Sequence, residues 1–193
     1  MTAVASDRGA LWARRLPLAW FRRDPAVVAR GLVGAVLVHG ERAGVIVETE
    51  AYLGPEDRAS HARFGPTART AVMFGPGGVT YVYLCYGVHQ MFNIVADRDG
   101  VGGAVLIRAI APLGGLPDDP AVGRGPGKVT RALALDARHH GQLLDREALF
   151  VARRRRAGAI AIGPRIGVDY AGACARRPLR FHLAGHPSVS RPR

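Results

Sequence analysis

"VTYVYLCYGVHQMFNIVA" spans Val79 to Ala96, and its reading decides the fold. β-Branched and aromatic residues alternate along it, a pattern that belongs to strands. The Gly87-Val88 step interrupts the alternation, so the stretch reads as a hairpin with strands 79–86 and 89–95. On the first strand Tyr81, Tyr83 and Cys85 point one way, and Thr80, Val82, Leu84 and Tyr86 the other. "DRDG" at 97–100 is a turn, and "GAVLIRAIAPL" follows as a third strand of the same meander.

Working outward, Asp24 is a candidate N-cap with Pro25 at the first helical position, and Val27, Val28 and Leu32 form the apolar stripe of that helix. Ala35 to Val38 read as a strand, His39-Gly40 as a turn, and Arg42 to Tyr52 as the next strand. Pro55 to Ala62 are expected to form a short helix with Glu56 and Asp57 in its first turn. Residues 114–127 are a long loop, after which Lys128 opens a helix, "KVTRALAL". Residues 1–20 read as a loosely structured lead-in, and "RRRR" at 153–156 is a basic run. With no internal repeat and no linker, residues 21–193 read as a single α+β domain built on an antiparallel sheet.

The chain holds 27 Lys and Arg against 15 Asp and Glu, a formal charge of +12. That excess favours a polyanionic partner, nucleic acid before an acidic membrane. Arginine-rich coding explains why Lys128 is the only lysine, but not the net charge. Cys85 and Cys174 are too few for a disulfide framework or a structural zinc site, and a reducing cytoplasm is the expected compartment. Met1 to Trp20 contain no continuous apolar core of a signal peptide, and no apolar run approaches the roughly 20 residues of a membrane span. The histidines show no metal-ligand spacing and there is no Gly-x-Ser-x-Gly elbow, so neither a metal nor another cofactor is expected.

Three features admit a chemical and a plain reading. Glu48 and Glu50 share one strand face and Thr49 takes the other. They are a solvated face, or they include a carboxylate that activates water with an arginine to orient it. Tyr81, Tyr83, Tyr86 and Phe92 suit sheet packing or a base-stacking platform, although Tyr86, beside the turn, has little core to enter. "GRGPGK" before a helix is a plain loop or an anion cradle, without the spacing of a nucleotide-binding P-loop.

Five stretches in order, "VIVETEAYLGPEDRASHA", "VTYVYLCYGVHQMFNIV", "GAVLIRAIAPLGG", "GRGPGKVTRALAL" and "RIGVDYAGACARRPLRFHLAGHPSVS", resemble the alkyladenine (3-methyladenine) DNA glycosylase family. The resemblance covers roughly residues 20–190. It implies a single mixed domain with a curved antiparallel sheet, flanking helices and a protruding hairpin. It also implies a monomeric, cytoplasmic repair enzyme, associated with the nucleoid if bacterial. Such an enzyme flips alkylated or deaminated purines out of double-stranded DNA and hydrolyses the glycosidic bond. Carried over residue by residue, Glu50 activates the attacking water, with Arg108 and the backbone carbonyl of Ile166 as further water contacts. Tyr52, His61 and Tyr83 line the base pocket, and Asn93 crowds the exocyclic amino group of guanine. Tyr86 fills the gap left by the flipped nucleotide, and Lys128 falls in a segment that touches phosphate. "ARFGPTARTAVMFGPGG" matches only in outline, and Cys85 and Val88 depart from bulkier residues at the hairpin tip. A non-catalytic nucleic-acid binding module of the same fold is the alternative, which accounts for the charge and the aromatics but not for Glu50 with Arg108.

Overall fold

The computed structural model describes residues 3–154 and 158–190. Of the basic run at 153–156, Arg155 and Arg156 lie outside the described residues. The described strands, in chain order, are β1 (Val36–His39), β2 (Arg42–Tyr52), β3 (Thr80–Cys85), β4 (His89–Ala96) and β5 (Gly103–Gly114). The remaining four are β6 (Asp145–Arg146), β7 (Leu149–Ala152), β8 (Ile160–Gly163) and β9 (Arg180–Leu183). They form one curled antiparallel sheet in the order β3-β4-β5-β2-β1-β7-β6, with β9 bridging β2 and β8. The fold is a single mixed α+β domain with helices flanking the sheet and a hairpin protruding from it.

β2 is the spine of the sheet. One edge pairs with β5 along most of its length. The other edge pairs first with β1, through Val36↔Val45 to His39↔Arg42, and then with β9, through Glu48↔His182 to Glu50↔Arg180. Residues 48–50 therefore have strands on both sides, which is why a segment with two carboxylates can be fully buried. The β2–β5 register slips between Ile46 and Thr49, where Ile46↔Ile110, Glu48↔Ala109 and Thr49↔Ile107 are paired and Val47 and Arg108 are left between pairs. Such irregularities re-aim side chains and sharpen local twist.

Helix α2 (Pro25–Leu32) begins as expected: the Asp24 side chain accepts from the N–H groups of Ala26 and Val27, with Pro25 in the first turn. Its buried face, Val28, Ala29 and Leu32, packs on the sheet. The hydroxyl of Thr49 donates to the carbonyl of Ala29 at 2.9 Å. Thr49 thus faces α2, and the alternation of the strand sends Glu48 and Glu50 to the opposite face.

The hairpin β3–β4 pairs Tyr81 with Asn93 and Cys85 with His89, leaving Tyr86, Gly87 and Val88 as the loop. Tyr86 (φ 49°) and Gly87 (φ 69°) both occupy the left-handed region, and Tyr86 is 93% exposed. A tyrosine in that region carries ~1–3 kcal/mol of backbone strain while presenting its ring to solvent. The outer edge of β3 is covered by residues 139–142: Thr80 N–H donates to the Gln142 carbonyl, Gly141 N–H to the Thr80 carbonyl, and Val82 N–H to Nδ1 of His140.

Three local expectations are corrected. The lead-in is ordered: α1 spans Ala3–Ala13, Trp12 packs edge-on to Phe150 at 5.1 Å, and Leu16 and Phe21 are buried in the core. Apolar side chains at Leu11 and Leu16 have somewhere to go once β7 is in place, which local pattern cannot reveal. Pro55–Ala62 is not a helix, because the Asp57 carboxylate is drawn inward to accept from Leu53 and Ala59 N–H; a 3-10 turn at His61–Phe64 follows. Helix α3 (Pro126–Ala132) starts two residues before Lys128, with Gly125 before it at φ 117°.

Replacing Asp24 by Ala removes two hydrogen bonds at the start of α2 and should lower unfolding free energy by about 1 kcal/mol in urea melts. Nothing in the cavity described below depends on that cap, so the activity of the folded variant should be unchanged.

Candidate active site

Between the hairpin, the β2–β5 face and the loop 164–170 lies a cavity of about 710 Å³. Tyr52, His61, Tyr83, Asn93, Arg108 and Ile166 are among its lining residues. The candidate residues named from the sequence therefore converge on one place, Tyr86 included, with Glu50 and Lys128 the two that do not line it. Glu50 lies behind the wall, Tyr86 lines the cavity from the hairpin tip, and Lys128 is not part of the lining.

Glu48 and Glu50 have no exposed surface. The solvated strand face is thereby ruled out, as β9 and the segment after it close over the pair. Glu50 Oε1 accepts from the backbone N–H of Ile166 at 2.8 Å and lies 3.4 Å from a terminal nitrogen of Arg108. Its Oε2 accepts from the Tyr52 hydroxyl at 2.8 Å. Burial raises the Glu50 pKa, and Arg108, the Ile166 N–H and the Tyr52 hydroxyl only partly offset it. Burial, then the Glu50 charge, pushes the Tyr52 phenol well above its ordinary range, so it remains a donor. Ile166 contributes its N–H to Glu50, a separate group from the carbonyl that the family resemblance implies as a water contact.

The aromatic walls are mutually braced. His61 meets Tyr83 edge to face at 4.7 Å, and its Nδ1 is hydrogen-bonded to the Tyr81 hydroxyl at 2.8 Å. Burial, helped by Arg69 and Arg63, lowers the His61 pKa to about 4, so the ring is neutral near pH 7. Burial pushes Tyr81 up to about 12 and Tyr83 higher still. Asn93 is buried and its amide donates to the carbonyls of Tyr81 and, at the longer distance of 3.4 Å, Met91. Lys128 Nζ donates to the carbonyl of Ala121 at 3.1 Å in the loop before α3.

A family model described as methylpurine-DNA glycosylase (MPG) matches residues 19–187. The chain belongs to the methylpurine-DNA glycosylase family. It is 50% identical over 184 residues to a protein of Anaeromyxobacter dehalogenans named "Putative 3-methyladenine DNA glycosylase", covering 92% of this chain and 86% of the relative. Proteins of the same name from Myxococcus xanthus and Legionella pneumophila are 47% and 41% identical, covering 91% and 92% of this chain and 93% and 99% of theirs. Among the described residues of this glycosylase-family chain, no group of three or more His, Cys, Asp or Glu could hold a metal ion, and no helix is long and apolar enough to cross a membrane.

Sequence reasoning missed the groups that brace the site of this family member. Arg165 forks onto Asp57, with Nη1 to Oδ2 at 2.5 Å and Nη2 to Oδ1 at 2.8 Å, both side chains fully buried. Arg165 also donates to the carbonyls of Ala51 and Cys174, and its guanidinium carbon lies 4.8 Å from the Tyr52 ring centre. One ion pair thus ties the loop carrying Ile166 to the strand end carrying Tyr52. Arg180 and Ser190 hold Glu48 in the same manner. The only sequence signal was the arginine directly before Ile166; no spacing rule brings residue 57 to 165 or 48 to 180.

The Asp57–Arg165 pair has a testable acid signature. Burial raises the Asp57 pKa, but the Arg165 and backbone hydrogen bonds outweigh it and leave the group below its usual value. Its contribution to stability is therefore present above the unfolded carboxylate pKa and lost as pH falls through the lower folded value. Asp57→Asn, which strands a buried guanidinium, should cost about 3 kcal/mol or more at neutral pH. Denaturant melts across acid pH should show that difference shrinking for the variant relative to wild type.

Proposed function

We propose that the chain is a monofunctional purine DNA glycosylase acting on alkylated or deaminated bases, such as 3-methyladenine and hypoxanthine, in double-stranded DNA. The observation that carries this reading is the Glu50 carboxylate, buried in a +12 chain, held by Ile166 N–H, Tyr52 and Arg108 directly behind an aromatic cavity. Asp57 is buried too, but it is closed in a two-pronged pair with Arg165, whereas Arg108 stays 3.4 Å from Glu50 and leaves that carboxylate able to accept a proton, which a pure binding module does not need.

The chemistry follows from the parts. A flipped purine enters between Tyr52 on one side and His61 with Tyr83 on the other. These are neutral aromatic faces, and a cationic alkylated base is attracted to them. As the C1′–N bond breaks, its electron pair leaves with the base and positive charge develops on the sugar. The Glu50 carboxylate stabilises that charge and takes a proton from the water that attacks C1′. Its raised pKa makes it a stronger proton acceptor than an exposed glutamate. Arg108 and the Ile166 carbonyl are assigned to hold the water. No lysine lines the cavity, and the sole lysine, Lys128, is hydrogen-bonded elsewhere, which favours hydrolysis over Schiff-base chemistry. Lys128 is assigned to phosphate. Asn93 is assigned to exclusion of guanine, with its amide orientation set by the Tyr81 and Met91 carbonyls. Tyr86, exposed at the tip with Val88 and Leu84, is assigned to the gap in the duplex.

Single-turnover excision on duplexes containing hypoxanthine or ethenoadenine, with chelator present and alkali added to reveal abasic sites, tests this reading. Glu50→Gln should lower excision by roughly 100-fold or more while lesion binding persists. Near-normal excision by that variant would remove Glu50 from the reaction.

Tyr86→Ala should weaken binding to lesion duplex by about 1–3 kcal/mol, the scale of one aromatic–base stack, and leave binding to single strands unaffected. Its thermal stability should not fall, since the ring touches no core. Lesion-duplex affinity equal to wild type would sink the wedge assignment.

A further inference from the structure

Glu48 has no step assigned to it above, yet it is as deeply buried as Glu50 and more directly bonded to cations. Its Oε1 accepts from Arg180 Nε at 2.6 Å and lies 3.3 Å from Arg108 Nε. Its Oε2 accepts from the backbone N–H of Ser190 at 2.7 Å. The Ser190 hydroxyl in turn accepts from Arg108 Nε at 3.0 Å. We propose that Glu48, with Arg180 and Ser190, is a positioning unit that holds Arg108 back from Glu50, so that Glu50 stays a competent base and Arg108 stays free to face the cavity. This rests on the reading of Glu50 as general base.

The geometry makes the case. An arginine beside a carboxylate normally closes into a two-pronged pair with short parallel hydrogen bonds. Here Arg108 does not: its terminal nitrogen stays 3.4 Å from Glu50. Its Nε is engaged on the other side, by Ser190 and Glu48. Glu48 cannot yield, because Arg180 on β9 and the Ser190 backbone fix both of its oxygens. The charged or titratable groups facing Glu50 are Arg108 from β5, Tyr52 and Glu48 from β2, Tyr83 from β3 and Arg165 beside Ile166. Of these, Arg108 is the cation held closest to Glu50 and the one whose approach is restrained by a second carboxylate.

Removing the restraint should let Arg108 close on Glu50, favouring the ionised carboxylate and weakening it as a base. The gentle variant is Ser190→Ala, which deletes one hydroxyl and keeps the backbone N–H that binds Glu48. In the full chain it should lower single-turnover excision by roughly tenfold at neutral pH. Lesion-duplex affinity should be unchanged, and the acid limb of the rate profile should move to lower pH. Ser190→Thr, which keeps the hydroxyl, should restore both. Glu48→Gln should move the limb in the same direction, its rate expressed per folded molecule. The Glu50 side chain, followed by carboxyl-carbon NMR, should titrate lower in Ser190→Ala than in wild type.

An unchanged rate and an unchanged titration in folded Ser190→Ala would overturn the proposal, and so would a rate loss with no movement of the acid limb. If Glu50→Gln is inactive while Ser190→Ala behaves as wild type, the positioning unit fails and the general base stands. If wild type excises no purine, the general-base reading fails, and the Glu50 titration still decides whether Arg108 is held back.

Discussion

Two carboxylates are buried on one face of one strand, with a guanidinium between them. Each ion lost its hydration on folding, a cost of several kcal/mol that only well-placed donors can offset. Those donors come from residues 52, 108, 166, 180 and 190, scattered over most of the chain. The pairing of β9 against the second half of β2 delivers Arg180, and the segment beyond β9 delivers Ser190. The register slip between β2 and β5 leaves Arg108 outside the regular pairs, where its side chain reaches both acids. Sheet, slip and loop are therefore not separable from the site, since any of them out of place leaves a charge stranded.

What the sequence disclosed follows from how local each feature is. The hairpin, its tip tyrosine, the Asp24 cap and the bounds of β2 are set by neighbours a few residues away, and all were readable. So was the opposition of Thr49 to the two glutamates, because strand alternation needs no tertiary knowledge. What stayed hidden is set by distant partners. Asp57 looked like the acid of a helix start until Arg165, 108 residues on, claimed it. The helix at residues 3–13 is weakly patterned and depends on β7 and Phe150 for a surface to cover. The burial of Glu48 could not be inferred from a strand that pairs with one partner at its start and another at its end.

The cavity walls show the same division of labour. Tyr83 and His61 are held by one another and by Tyr81, all on or beside the hairpin base. Tyr52 is held from behind, by Arg165 against its ring and by its own hydroxyl on Glu50. A base stacked on Tyr52 would therefore press on a ring whose hydroxyl leads directly to the Glu50 carboxylate. On the proposed mechanism, stacking and proton transfer would be mechanically linked through one side chain.

The cover over the outer edge of β3 bears on the life of the molecule outside its reaction. An exposed strand edge is a template on which another chain can add. Residues 139–142 occupy the backbone positions at Thr80 and Val82 that a foreign strand would need, and then end. Beyond Val82 the hairpin runs to a tip with two consecutive left-handed residues and an exposed aromatic ring. That shape is poor for strand addition and good for entering a groove. Along the covered stretch it is the backbone, and not the side chains, that has been made unavailable to another strand.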